Sequence, residues 1–289
     1  MRIVSLLPSA TEILFAIGAG DEVVGVTHEC DFPAQALALP KLTTSSAPPA
    51  LSAVQIDRHV RTAVHAGSSL YHLDAALLER LAPDLIVTQE LCPVCAVSYD
   101  IVEDAAKCLR SPGEAQIVSL EPSSLDEVFA NILLLGTLTG RTSNAQRVVD
   151  ALRERVDAIA QRRISDDLEG PRTLVLEWTD PPMSAGHWIP ELVEIAGGAP
   201  LLANPGTNSQ RLEWDAIAAS DPDAIVVTPC GFDLERTQAE VAALDDVPQW
   251  RALRARRSGR VLAVDGNAYF SRPGPRLVDS LEILARWLQ

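Results

Sequence analysis

Aromatic residues make up only 4% of this 289-residue chain, and its 24 Lys and Arg are outnumbered by 39 Asp and Glu, for a formal net charge of −15. Surfaces that hold nucleic acid by its phosphates, or that adhere to anionic lipid, are net basic, so the charge argues against both partners. No apolar run approaches the roughly 18 residues that a membrane span needs. Met1-Arg2 leads straight into Ile3–Leu7, which Pro8 closes. That run is shorter than a signal-peptide core and no small-residue cleavage site follows it, so the expectation is a cytoplasmic protein, or a periplasmic or cell-surface one if a leader has been removed. The five cysteines (Cys30, Cys92, Cys95, Cys108, Cys230) are an odd number in a sizeable core, which is no disulfide framework. Enzyme signatures are missing too: there is no G-x-G-x-x-G after a strand, no P-loop, no G-x-S-x-G and no H-E-x-x-H, and no catalytic residue is expected.

What is present is a 47% hydrophobic chain with ample core. Apolar runs at 2–7, 22–27, 84–88 and 116–120 read as buried strands, separated by helical patterns that include 74–82 and 97–109. Such alternation implies an α/β fold with a parallel sheet covered on both faces. Ser9-Ala10-Thr11-Glu12 has the spacing of a capping box, and Ser52 with Gln55 can cap a further helix. From Ser123 to about Arg163 apolar residues recur at helical spacing with Gly140 between the two runs, which predicts a long connecting helix, kinked or briefly broken. Strands at 172–178, 223–228 and 260–265, with helices near 188–196, 213–220 and 272–288, make a second region. The expected organisation is therefore two Rossmann-like lobes with parallel sheets, 1–122 and 165–289, joined by a connecting helix over 123–164.

Two internal echoes support related lobes. Leu81-Ala82-Pro83-Asp84-Leu85-Ile86-Val87 resembles Ser220-Asp221-Pro222-Asp223-Ala224-Ile225-Val226, and Ile117–Ser123 repeats Ile3–Ser9. Open parallel sheets bind ligands beyond the carboxyl ends of their strands. The residues there are Pro8 and Ser9, then His28, Glu29 and Cys30, then Glu90, Cys92 and Cys95. In the second region they are Trp178, Gly186, His187, Trp188, Cys230, Phe232, Tyr269, Phe270 and Arg272. Five of the scarce aromatics fall in these loops, which suits a large, flat, partly apolar ligand held between the lobes. Cys92-Pro93-Val94-Cys95 has the spacing of a redox dithiol or half a metal site, and Cys30 with His28 could complete it; inert buried thiols are the alternative.

Arg2–Glu12, Val24-Gly25-Val26, Asp31-Phe32-Pro33, Pro83–Ile86, Pro181-Pro182 with Gly186, Gly197-Gly198 and Tyr269–Arg272 with Pro275-Arg276 together resemble class III substrate-binding proteins, the receptors for cobalamin, ferric siderophores and haem; the cobalamin branch is most similar. The resemblance spans nearly the whole chain. It implies non-catalytic binding of a corrinoid, with cobalamin or a relative as ligand and an ABC permease as partner. Contacts would come from Pro8, Ser9, His28, Glu29, Tyr71, Glu90, Trp178, Gly186, His187, Trp188, Phe232, Tyr269, Phe270 and Arg272, and His28 or His187 is a candidate cobalt ligand. The family docks on its permease through one glutamate per lobe, and this chain has Ala76 and Asp215 there, which equally suits a cytoplasmic carrier or sensor. The other readings left open are a metal- or redox-active protein using Cys30, Cys92 and Cys95, and a ferric-siderophore or haem receptor.

Overall fold

The computed structural model describes residues 1–48, 51–65, 70–89, 102, 115–164 and 170–289. The chain divides into two compact units. The first holds Met1–Leu51, Arg58–Glu121 and Phe129–Val149, and the second holds Ser52–Asp57, Pro122–Val128 and Asp150–Gln289. Against the expected boundaries at 122 and 164, Ser52–Asp57 groups with the second unit and Phe129–Val149 with the first.

In the first unit β1 (Ile3–Ser5), β2 (Val23–Val26), β5 (Leu85–Thr88) and β6 (Gln116–Ser119) form a parallel sheet in the order β2-β1-β5-β6. Every residue of β1 and β5 is buried, as strands covered on both faces require. Val4, Leu6, Leu42, Leu78 and Ile86 pack together on this sheet. Helix α1 (Pro8–Ala16) follows β1 directly, with Pro8 in its first turn. The helix does not start on the capping box expected of Ser9 and Glu12: Leu7 is the cap residue, without a side-chain capping bond, and Ser9 and Glu12 are buried within the helix. Proline lacks an N–H and has its φ pre-set, so it starts the helix two residues earlier than the Ser/Glu spacing suggests. The expected Ser52–Gln55 pairing is present, Ser52 N donating to Gln55 Oε1 at 2.9 Å where α2 (Ala53–His65) begins. A small antiparallel pair, β3 (Thr43–Ser45) with β4 (Tyr71–Leu73), was not foreseen from the sequence; helix α3 (Ala75–Leu81) follows it. Of the helix expected over 97–109 only Val102 is among the described residues, where it is helical and buried.

The long helical stretch is two helices, α4 (Leu125–Leu138) and α5 (Thr142–Ile164). Gly140 takes a left-handed φ of 67°, and Arg141 N bonds back to Gly136 O at 2.6 Å, so the glycine ends the first helix instead of merely bending it. A Cβ on Gly136 would lie 2.3 Å from that of Ala145, so only glycine permits the two helices to meet there.

The second unit carries a mixed sheet, β10-β8-β7-β11-β12, from β7 (Arg172–Thr179), β8 (Pro182–Ser184), β10 (Gln210–Arg211), β11 (Ala224–Val227) and β12 (Val261–Ala263); β9 (Ala199–Pro200) also pairs with β7. The core strands are parallel as expected, and two short strands extend the sheet antiparallel at one edge. β7, β11 and β12 are parallel, but β8 folds back antiparallel on β7 and β10 antiparallel on β8. A two-residue connection, Asp180-Pro181, is too short for a crossover, so β8 can only return alongside β7. Trp250, wholly buried, anchors the core below with Leu174, Leu176, Ile217, Ile225 and Val227.

The first internal echo is a shared structural device. Ala82 and Asp221 end their helices in left-handed conformations, φ 42° and 39°. Asp84 then accepts from Arg2 N at 2.7 Å and Asp223 from Arg172 N at 3.0 Å. Arg2 Nε donates to Leu81 O at 2.6 Å, and Arg172 Nη2 donates to Asp221 O. In both units the aspartate thus receives the backbone N–H at the entry to the neighbouring strand. These bonds hold the Asp223 carboxyl below the usual range, through Arg172 N first and then the Arg254 and Arg172 guanidinium groups. A group with a depressed native pKa stabilises the fold above the ordinary carboxylate range, and that stability is lost as pH falls through it. Asp223→Ala is expected to cost about 1 kcal/mol at pH 7, with the deficit shrinking toward pH 3. Urea unfolding of both proteins across that range measures it, and a deficit independent of pH would contradict the account.

Candidate functional site

The first unit gathers His28, Glu29 and Tyr71 after β2. Thr43, on β3, organises them: its Oγ1 accepts from His28 N at 3.1 Å and lies 2.7 Å from His28 Nδ1 and 2.8 Å from Thr27 Oγ1. The Tyr71 ring sits 5.7 Å from the His28 ring, and its hydroxyl reaches Glu29 Oε1 at 3.5 Å. Burial, and secondarily the Lys41 ammonium, push the His28 pKa down, so the ring is held neutral. The antiparallel pair that supplies Thr43 and Tyr71 left no sequence signal, because Thr43-Thr44-Ser45 has no apolar alternation. Pro8 is half-buried and Ser9 is buried in α1. Cys30 is buried, its Sγ 3.0 Å from Thr11 Oγ1, which in turn donates to Ser5 Oγ. That is a core environment. Glu90, Cys92 and Cys95 lie outside the described residues. Among the described residues no group of three or more His, Cys, Asp or Glu side chains is placed to hold a metal ion.

The second unit brings together most of the residues expected of it. Trp178, half-buried near the end of β7, meets Phe232 edge-on at 5.4 Å between centroids. The Arg236 guanidinium lies 3.7 Å over the other ring, Phe232. After β12 a π-helical turn, Gly266–Phe270, is capped by Asp265 accepting from Ala268 N at 2.6 Å; such turns concentrate at functional sites. Tyr269 on this turn is half-buried, with Arg276 over its ring. Trp188 ties the β8 loop to the turn by donating from Nε1 to Phe270 O at 3.0 Å. Trp188, Phe232, Phe270 and Arg272 are all under 9% exposed and serve packing beneath the surface, Arg272 donating to Asn267 Oδ1. The accessible aromatic rings among the candidates are therefore Trp178 and Tyr269, together with Tyr71 of the first unit. Gly186 is obligatory: a Cβ there would lie 2.4 Å from Ser209 N and Thr207 O. Ala76 on α3 and Asp215 in the helix Trp214–Ser220 are both exposed, and Asp215 accepts from Gln249.

The sequence pattern of the periplasmic binding protein family matches residues 3–268. The chain is 27% identical to the cobalamin-binding protein of Halobacterium salinarum over 287 residues, 98% of this chain and 68% of that protein. Among solved structures, the periplasmic vitamin B12 binding protein of Vibrio cholerae superposes with a TM-score of 0.69 at 22% identity, covering 99% of this chain and 96% of that one. A periplasmic haem-binding protein from Pseudomonas aeruginosa gives 0.74 at 21% identity, covering 99% and 92%. Both similar structures are described as periplasmic, so they lend no support to the cytoplasmic expectation.

Glu177 is a further candidate that the sequence did not single out. It sits one residue before Trp178, and nothing in an apolar strand pattern marks a carboxyl as functional. Burial pushes its pKa up to about 7, against the opposing hydrogen bonds from Ser209 and from the backbone of Gly186. The sign of its effect on stability follows. Between the ordinary carboxylate pKa and about 7 the unfolded chain has lost this proton and the native one keeps it, so stability falls as pH rises through that window and is level above it. At 1.36 kcal/mol per unit the full effect is about 3 kcal/mol. Glu177→Gln is expected to leave stability nearly unchanged at pH 4.5 and to raise it progressively toward pH 8. Chemical denaturation of variant and native protein at both pH values tests this; parallel pH profiles would refute it.

Proposed function

The chain belongs to the periplasmic binding protein family, and on that premise we propose that it binds a corrinoid, without catalysis. The observation that carries the reading is the character of the accessible side chains. Trp178, Tyr269 and Tyr71 offer aromatic surface, His28 and His187 are kept neutral by burial, and Glu177 is largely protonated below pH 7. A corrin ring is flat and apolar on its faces and is fringed by uncharged amides, which such a surface suits. The ring would lie against the aromatic side chains, and neutral donors and acceptors would meet the amides. The similarity to a cobalamin-binding protein along nearly all of the chain supports the same ligand. Haem carries propionate groups that call for cations, and a haem-binding structure of the same fold makes haem the second ligand to test.

We place the protein as the binding component of an uptake system. The uncharged Ala76 then shifts any acidic docking contact of the first unit to Asp74 or Glu79, both exposed beside it. Calorimetric titration with cyanocobalamin is expected to show saturable one-to-one binding, accompanied by tryptophan quenching. Trp178→Ala should weaken binding roughly three- to tenfold, the loss of one aromatic contact. No heat and no quenching up to high micromolar cyanocobalamin, with haemin binding instead, would replace the corrinoid by haem.

A further inference from the structure

His187 holds an unusual position. Its backbone φ of 52° is left-handed, a conformation that costs a non-glycine residue roughly 1–2 kcal/mol. It is fixed there by His187 N donating to Thr207 O at 2.6 Å and by Gly206 N donating to His187 O at 2.9 Å. The ring lies 5.6 Å from the Trp188 ring, tilted by 31°. Nδ1 is buried with no hydrogen-bond partner, which leaves Nε2 as the accessible nitrogen. Burial pushes the ring's pKa down, so it is neutral at pH 7 and carries one proton on one of two nitrogens.

Which nitrogen holds the proton decides what His187 can do. A histidine that ligates a metal through Nε2 carries its proton on Nδ1 and donates it to an acceptor behind the ring. Here nothing accepts from Nδ1, and a buried N–H without an acceptor is rarer and more costly than a buried unpaired acceptor. The proton therefore belongs on Nε2, with the bare lone pair of Nδ1 turned inward. We propose that His187 is held in this tautomer as an uncharged hydrogen-bond donor to a carbonyl or amide oxygen on the rim of the ligand, and that it is not an axial ligand to the ligand's metal. This rests on the corrinoid reading for the identity of the ligand, and on the structure alone for the tautomer.

Two measurements test it. Long-range proton–nitrogen correlation of the ligand-free protein, with His187 assigned by its loss in His187→Gln, is expected to show Nε2–H; an Nδ1–H signal would overturn the assignment whatever the ligand proves to be. The second compares aquocobalamin, which has an exchangeable axial water, with cyanocobalamin, which has none. Both should bind native protein with the same affinity and without displacement of the axial bands in the visible spectrum. His187→Gln keeps a donor where Nε2 stood and should stay within about threefold of native, whereas His187→Ala should weaken both cobalamins about tenfold, the value of one hydrogen bond. The two variants share the same backbone strain, so the difference between them reads the donor. A band shift specific to aquocobalamin that His187→Ala abolishes would establish axial ligation and overturn the proposal, as would native-like binding by His187→Ala. Failure of native protein to bind either cobalamin would overturn the corrinoid reading and the ligand half of this proposal, leaving the tautomer to stand or fall by the spectrum.

Discussion

The aspartate that closes each Pro-Asp turn is the constraint on which the strand ends depend. Asp84 and Asp223 each take the backbone N–H of an arginine at the entry to the adjacent strand, which aligns β1 with β5 and β7 with β11 from their first residues. One hydrogen bond contributes about 1 kcal/mol, little beside the burial of whole strands. Its importance lies in register. β1, β5 and β11 are buried along their entire length, with no polar face to choose between alternatives, so hydrophobicity alone would tolerate a slip. The clamp removes that freedom at the amino ends, and the positions of the carboxyl ends, where Thr27, Thr88 and Thr228 emerge, follow from it.

Two titratable groups of the second unit's candidate region are shifted toward their neutral forms although the chain is strongly acidic. Burial does this twice in one short region. It raises Glu177 to about 7, so that its carboxyl is largely protonated only below that pH, and it lowers His187, whose ring is neutral at pH 7. Charges are present nearby, but they are occupied: Arg236 lies on the Phe232 ring, Arg276 on Tyr269, and Arg272 is buried against Asn267. Among the described residues near the aromatic rings, these three guanidinium groups are already engaged, and an anionic group buried there would need a cation to offset its desolvation. The buried, unpaired hydroxyls of Thr88 and Thr228 extend the same pattern of uncharged polar groups at the strand ends.

Much of this was legible in the amino-acid order. The core strands read as short apolar runs, and their observed bounds lie within one or two residues of the expected ones. The Pro-Asp echo signalled a repeated device because proline and aspartate each have a fixed role in that turn. The helix start at Pro8 was misread because a Ser/Glu pair at capping distance outweighed a proline that satisfies the same end by having no N–H to cap. Aromatic residues were found where expected, but composition cannot separate a ring that lines a surface from one beneath it, and Trp188, Phe232 and Phe270 proved to be the latter. Glu177 was invisible for a related reason: its significance comes from burial, which depends on chain segments more than thirty residues away, at Ser209.

The departure from a parallel sheet is what makes that burial happen. After β7 the chain turns at Asp180-Pro181 and β8 returns antiparallel along the same strand, with β10 added beyond it. A helical crossover at this point would have carried the following loop to another edge of the sheet. The return instead keeps Gly186 and Ser209 beside Glu177, where Ala185 N still bonds to Val175 O and Gly186 N donates to Ser209 Oγ. Gly186 admits the close approach of the 207–209 backbone, and the same approach holds His187 left-handed. The strain at His187, the raised pKa of Glu177 and the obligatory glycine are thus three consequences of one topological choice, which places the most chemically distinctive residues of the second unit around a single reversed strand.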